Sequence, residues 1–366
     1  MPCHGIDRGS TPLIRSKKDT VTKLRNLINK EELKSLIQSD QTPRTTLSFY
    51  RYTKIADPQQ LRDELFEQWS ELGVLGRIYL AHEGINAQMS IPTENLQKFR
   101  DHLDATPLFA QVPFKIAVED NGKSFYKLAI KVREKIVADG LNDDTFDTSN
   151  TGTHLNAEQF NQAIEQGAVV VDMRNHYESE VGHFENAICP DADTFREELQ
   201  LVQELIKDKK DQKVLFYCTG GIRCEKASAY FKHLGYKDVN QLHGGIIEYA
   251  KEVAEKNLPS KFHGKNFVFD ERIGERITSE IIAKCHQCGQ PCDDHTNCAN
   301  NACHLLFIQC KACQEKFANC CTEKCKQFIE LPAEDQRRLR KNSTREDHLA
   351  VYKSRLRPKL SSSLAS

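Results

Sequence analysis

The spacing of apolar and polar positions divides the chain into stretches of different period. Residues 1–44 are polar and charged, with one weak helical stretch at 21–37 and no apolar pattern strong enough for a core. They read as a flexible arm carrying one surface helix. From 45 to 137 the periods alternate: a strand at 47–52, an amphipathic helix at 58–72 with Pro58 in its first turn, and strands at 77–82 and 85–90 around a Glu83-Gly84 turn. A helix at 93–103, capped by Thr93, and strands near 114–118 and 125–132 follow. The order β-α-β-β-α-β predicts a ferredoxin-like α+β sandwich, a fold that hosts catalytic and RNA-binding domains alike. Its hairpin crowds His82, Glu83, Asn86 and Gln88, which either face another domain or a substrate or satisfy one another.

Residues 138–153 are polar and turn-rich and read as a linker. Between 154 and 258 helices (156–165, 195–206, 225–234) alternate with short apolar strands (168–172, 214–217, 239–242), and Gly244-Gly245 opens a last helix. Such alternation predicts a parallel α/β sheet covered on both faces, with ligands at the carboxyl ends of its strands. Asp172 and Cys218 both fall at such ends.

The segment 214–235 carries the chemistry. Cys218 ends a buried strand, Gly220 and Gly221 permit a tight turn, and a helix follows. The loop Thr219, Gly220, Gly221 and Ile222 therefore offers a ring of backbone N–H groups that, with the helix N-terminus and the Arg223 guanidinium, would hold a thiolate or an anion and acidify the thiol. Cys224 either serves that thiol or is buried and inert.

Charge adds little, since 51 Lys+Arg oppose 52 Asp+Glu. No apolar run approaches a membrane span or the core of a signal peptide, so the expectation is a cytoplasmic protein. Cysteine usage changes the picture more. Of 14 cysteines, ten lie between Cys285 and Cys325. In a cytoplasmic chain that cluster reads as a metal module, about 259–330, with Cys285, Cys288, Cys310 and Cys313 as two CxxC knuckles holding one structural zinc ion. Cys292, Cys298, Cys303, Cys320, Cys321 and Cys325, with His286, His295 and His304, are candidates for a second site. A short strand around 267–270 leads into the module, and 331–366 is a basic tail that either contacts RNA phosphates or keeps the chain soluble.

The run from Asp172 through Arg174, Glu178, Gly182 and His183, followed by Cys218 and Gly244-Gly245, resembles the rhodanese family, although Ile246 stands where that family often has an aromatic residue. Four residues separate Cys218 from Arg223, one fewer than in phosphatases with a comparable cradle, a length that suits a persulfide. Tyr79-Leu-Ala-His-Glu-Gly-Ile-Asn, Cys218-Thr-Gly-Gly-Ile-Arg-Cys-Glu-Lys, Lys265-Asn-Phe-Val-Phe-Asp-Glu-Arg and the cysteine-rich tail together resemble the oxygen-dependent tRNA uridine hydroxylases of bacteria, over about 44–340. The resemblance implies 5-hydroxylation of the wobble uridine, position 34, in a tRNA anticodon loop. Molecular oxygen would be co-substrate and Cys218 the persulfide-bearing or nucleophilic cysteine, supported by Arg223, Asp172, Arg174 and Cys224. The central domain by itself fits a second activity, a sulfurtransferase that receives sulfane sulfur from an upstream persulfide donor. A non-catalytic RNA-recruiting scaffold is a third reading, opposed by the intact Cys218 loop.

Overall fold

The computed structural model describes residues 28–341. The start of the arm and the tail beyond 341, with Arg345, Lys353, Arg355, Arg357 and Lys359, lie outside the described residues. Helix α1 (Lys30–Ser39) is capped by Asn29, whose side chain accepts from the Glu32 N–H. It corrects the flexible-arm expectation for this part of the segment: Leu33 and Ile37, one turn apart, are only 8% and 7% exposed. Lys34 pairs with Glu271 at 2.6 Å, and Lys123 Nζ donates to the carbonyl oxygens of Ile37 and Asp40. Two apolar residues are too short a signal to read as a docked face.

The next domain runs β1 (Arg44–Tyr52), α2 (Pro58–Glu71), β2 (Leu75–Ala81), β3 (Gly84–Pro92), α3 (Leu96–Ala105), β4 (Lys115–Ile116) and β5 (Leu128–Val132). Its five-stranded sheet has the order β4-β1-β3-β2-β5, antiparallel except for β5, which runs parallel to β2. Asp57 caps α2 through the Gln59 and Gln60 N–H groups, and Leu65 and Trp69 on its buried stripe meet Phe49 of β1 and Phe99 of α3. Trp69 and Phe99 stand edge to face at 5.2 Å, and truncating either to Ala would cost about 3–5 kcal/mol. The fourth and fifth strands are shorter than the spacing predicts. Asp120 accepts from both the backbone N–H and the hydroxyl of Thr46, which draws the chain out of strand geometry after Ile116.

Alternate β1–β3 residues point away from this core, and in register they form polar rows: Ser48 opposite Gln88, and Tyr50 opposite Asn86, itself opposite Tyr79. In many two-layer domains such a face meets water. Here the next domain covers it.

That domain runs β6 (Thr153–Leu155), α4 (Ala157–Glu165), β7 (Val169–Asp172), α5 (His176–Ser179), β8 (Gly182–Phe184), α6 (Phe195–Leu205), β9 (Lys213–Tyr217), α7 (Ile222–His233), β10 (Asp238–Leu242) and α8 (Gly245–Lys256). Its parallel sheet has the order β6-β10-β9-β7. The spacing missed β6 and β8, each three residues long. Strand β8 pairs instead with β11 (Phe262–Phe267), itself beside β12 (Gly274–Arg276). The strand expected around 267–270 thus lies earlier. After Phe267 the Asp270 carboxylate accepts from the Arg272 N–H, and Ile273 adopts φ 63°, which closes a turn. The cysteine-rich module adds β13 (His295–Asn297), β14 (Leu306–Ile308), α9 (Lys311–Phe317) and α10 (Glu323–Glu330), and α11 (Ala333–Lys341) ends the described chain.

Candidate active site

Val214, Leu215, Phe216 and Tyr217 of β9 are all fully buried, and the strand delivers Cys218 to the junction between the two larger domains. The loop after it is shaped from both sides. The first-turn N–H groups of α8, Ile246 and Ile247, donate to the carbonyl oxygens of Cys218 and Thr219, at 3.0 and 3.2 Å. With its carbonyls drawn outward the loop can turn amides inward, and the Gly221 N–H donates to Cys218 Sγ at 3.1 Å. Gly245 is required for this contact, because a Cβ there would stand 2.5 Å from the Cys218 carbonyl oxygen. Gly221 adopts φ 94°, and a Cβ on it would meet Tyr50 Oη at 2.9 Å.

Burial pushes the Cys218 thiol up. The Cys224 thiol, the Arg223 guanidinium and the Cys224 and Arg223 N–H groups outweigh that and lower it to about 6. Cys224 goes the other way: burial and its hydrogen bond to Cys218 hold its thiol well above the ordinary range. One sulfur is thereby a thiolate at neutral pH and its neighbour a neutral donor.

Arg223 differs from the sequence expectation of an arm reaching into the anion cradle. Its guanidinium is forked onto Glu178 of α5, at 2.7 and 2.9 Å, and this carboxylate is fully buried. The Arg223 guanidinium therefore acts on the sulfur by its field while its own hydrogen bonds go elsewhere. Asp172 and Arg174 make a second buried fork, at 2.8 and 2.6 Å, closed by Tyr217 Oη donating to Asp172 at 2.7 Å and by Arg174 donating to the Gly182 carbonyl at 2.6 Å. It fastens β7, β8 and β9 together and does not line the cavity described next.

Cys218, Thr219, Gly220, Ile222 and Arg223 form one wall of a cavity of about 420 Å³. The polar face of the first domain forms the opposite wall, with Tyr50, Arg77, Tyr79, Asn86 and Gln88. Of the crowded hairpin, Asn86 and Gln88 thus face the cavity. His82 and Glu83 do not: His82 Nδ1 lies 2.9 Å from the Ile55 carbonyl, and Glu83 pairs with Lys226 at 2.8 Å and accepts from the Ile136 N–H. Tyr50 Oη donates to Glu225 of α7 at 2.9 Å and ties the walls together. Lys115, on β4 beside Ser48, also lines the cavity, and no sequence motif singled it out.

The cysteine-rich module gathers two sets of four thiols, each within 4.8 Å of one another: Cys285, Cys288, Cys310 and Cys313, and Cys298, Cys303, Cys321 and Cys325. Spacing alone could not select the second set. Cys292 and Cys320 are buried in the core instead. Among the histidines, His286 is held by Glu180 at 2.8 Å and accepts from the Ile308 N–H, and His295 packs edge-on against Phe267. The first set joins the Cys218-bearing half of the molecule through a cluster that includes Tyr177, Val181, Phe267 and Ile308.

Three families match the chain: the UPF0176 acylphosphatase-like domain over 44–136, the rhodanese-like domain over 156–252 and the rhodanese C-terminal region over 263–326. A tRNA uridine(34) hydroxylase of Leptospira interrogans is 58% identical over 339 residues, 92% of each chain. Proteins of the same name from Escherichia fergusonii and Yersinia pestis are 55% and 53% identical, covering 87% and 90% of this chain and 91% and 93% of their own.

Proposed function

The chain belongs to the tRNA uridine(34) hydroxylase family, and from that premise we propose that it places a hydroxyl group on C5 of the wobble uridine of tRNA, with Cys218 as the reactive group. The observation that carries the assignment of the residue is an acidified thiol at the wall of a cavity of about 420 Å³. That volume falls within the roughly 300–1,000 Å³ of small-ligand sites, room for one base unstacked from an anticodon loop.

The Cys218 thiolate adds to C6 of the ring: the S–C6 bond forms and the C5–C6 π pair moves towards O4, leaving C5 electron-rich. Molecular oxygen reacts there, one atom remaining on C5 and the other leaving as water. Two electrons and two protons from a thiol reductant, oxidised to a disulfide, balance the change. Loss of the C5 proton with departure of the sulfur restores the ring. The Gly221 N–H and the field of Arg223 stabilise negative charge on the sulfur as it enters and leaves.

The first tetrathiolate set fits one tetrahedral ion. A zinc–sulfur bond of about 2.3 Å implies sulfurs about 3.8 Å apart, and Cys288 and Cys310 stand at 3.6 Å. The second set, with Cys303–Cys321 and Cys321–Cys325 both at 3.7 Å, fits equally well. We therefore assign structural zinc to both, one ion more than the CxxC knuckles alone imply. Neither set lines the cavity, so their role is to hold the module together. The basic residues of the tail serve tRNA phosphates in this reading, and a tRNA substrate supports a cytoplasmic location. No helix among the described residues is long and apolar enough to cross a membrane.

The rhodanese-like match over 156–252 favours one alternative, a sulfurtransferase in which Cys218 receives sulfane sulfur from a persulfide donor. Mass spectrometry of tRNA nucleosides separates the two. Cells lacking the protein should lose 5-hydroxyuridine derivatives and regain them with wild-type but not Cys218→Ser protein. Loss of thiolated bases with 5-hydroxyuridine intact would support the sulfurtransferase and overturn the hydroxylase.

A further inference from the structure

Lys115 is 5% exposed, and its ammonium group sits 4.4 Å from the centroid of the Tyr50 ring. Among the described residues it makes no hydrogen bond or ion pair. Its stem runs beside the cysteine loop, Cδ lying 3.7 Å from where a Cβ on Gly220 would stand. The groups that act on it come from every neighbouring element: Cys218 on the loop, Glu248 on α8, Glu225 on α7 and the Tyr50 ring on β1. Both carboxylates are engaged elsewhere, Glu225 by Tyr50, His154 and Gln241 and Glu248 by Lys251 at 3.6 Å. A buried cation with no hydrogen-bond partner, held only by a ring face and by the longer-range pull of Cys218, Glu248 and Glu225, is costly, and methionine would fill the same space without that cost. The position suits a group that meets its partner only when a substrate occupies the cavity.

We propose that Lys115 is a second catalytic residue of this site: its ammonium protonates O4 of the uracil as Cys218 Sγ adds to C6, and the resulting amine removes the C5 proton when the sulfur leaves. The inference rests on the C6-addition reading given above. Proton and charge balance over the cycle. The first step consumes a thiolate and an ammonium to give a neutral enol and an amine. The enol proton then passes to the oxygen that arrives on C5, and the last step regenerates ammonium and thiolate. Burial lowers the Lys115 ammonium to about 8, against the opposing pull of Cys218, Glu248 and Glu225, which brings it near the working range of a general acid and base.

The test uses the full-length enzyme, tRNA transcript, oxygen and dithiothreitol, with hydroxylation rates measured against pH. Wild-type rates should fall on the alkaline side of about pH 8 as the ammonium is lost. Lys115→Arg keeps the charge but cannot release the proton, so it should be about 100-fold slower and lack that alkaline limb. Lys115→Met should be at least as slow, while Cys218 remains open to alkylation and the melting temperature does not fall. Either variant working within threefold of wild type, an alkaline limb that survives in Lys115→Arg, or failure of both variants to fold would overturn the role. An active Cys218→Ser enzyme would sink the C6-addition reading and this role with it. Dependence on Cys218 with indifference to Lys115 sinks this role alone.

Discussion

At the end of β9 a single sulfur, Cys218, is surrounded by an inward N–H group, a nearby guanidinium and one neutral thiol, whereas the sulfurs of the C-terminal module are surrounded by other sulfurs 3.6 to 3.7 Å away. The residue type is the same, yet the first environment stabilises one negative charge and leaves it facing a cavity. The second would place four negative charges together, which is tolerable only around a cation. Reactivity here is decided by how many thiols share a site and by what else donates to them.

The comparison breaks most sharply if Cys218 is replaced. Cys218→Ser keeps the shape of the loop but removes the thiolate, and hydroxylation should fall by at least about 10³-fold, as when an activated nucleophile is lost. A variant that retains a tenth of the wild-type rate ends the nucleophile assignment. In the module, elemental analysis should find two zinc ions per chain, and Cys310→Ser or Cys321→Ser should each remove one. Structural zinc is worth about 10–16 kcal/mol of apparent binding free energy in isolated fingers, so either change should melt the module before the rest of the chain. One ion or none in the wild-type protein would contradict the two-site assignment.

A subtler test separates what holds the thiolate from what holds the fold. Glu178→Gln removes the charge that Arg223 is forked onto inside the protein. It should cost about 3 kcal/mol in denaturant unfolding while making Cys218 more acidic, since the guanidinium loses its compensating anion. A variant that is less stable with an unshifted Cys218 would show that Arg223 is only a strut.

Much of this candidate site is legible before any fold is seen, because it is local: strand, cysteine, two glycines, arginine and helix follow one another between 214 and 235. What is not legible depends on distant parts of the chain. Lys115 reaches the site through its register with Ser48 and the docking of one domain on another, neither of which leaves a trace around residue 115. The polar rows of Tyr50, Asn86 and Gln88 alternate as on any solvent-facing sheet, and only the covering domain makes them a cavity wall. The thiol sets show the same limit. The CxxC pairs announce themselves, but Cys298, Cys303, Cys321 and Cys325 are brought together by chain turns that spacing does not encode. Strands β6 and β8 fail for a simpler reason, since three residues are too few to show a period.

The acidity of Cys218 can be read directly from the rate of alkylation by iodoacetamide, which should be half-maximal near pH 6. The sign carries over to stability. A thiol lowered by folding contributes its full stabilisation above the ordinary cysteine range, near 8.5, and loses it as pH falls through about 6. A midpoint above 8 would mean that the loop and Arg223 do not offset burial.

The smallest effect is expected at Cys224, and it sharpens the contrast between the two thiol environments. Cys224 is fully buried, its thiol is held protonated and it donates to Cys218. If that donation is its whole role, Cys224→Ala should raise the Cys218 midpoint by less than about one unit. Hydroxylation at neutral pH should then drop by less than about tenfold, since a thiol is a weak donor and the backbone N–H groups and Arg223 remain. If Cys224 also resolved a Cys218 persulfide or disulfide, its loss would stop turnover after a single cycle on top of that shift. A burst of one product per enzyme followed by arrest, against a steady rate, decides whether the neighbouring sulfur is a donor alone or a resolving thiol as well.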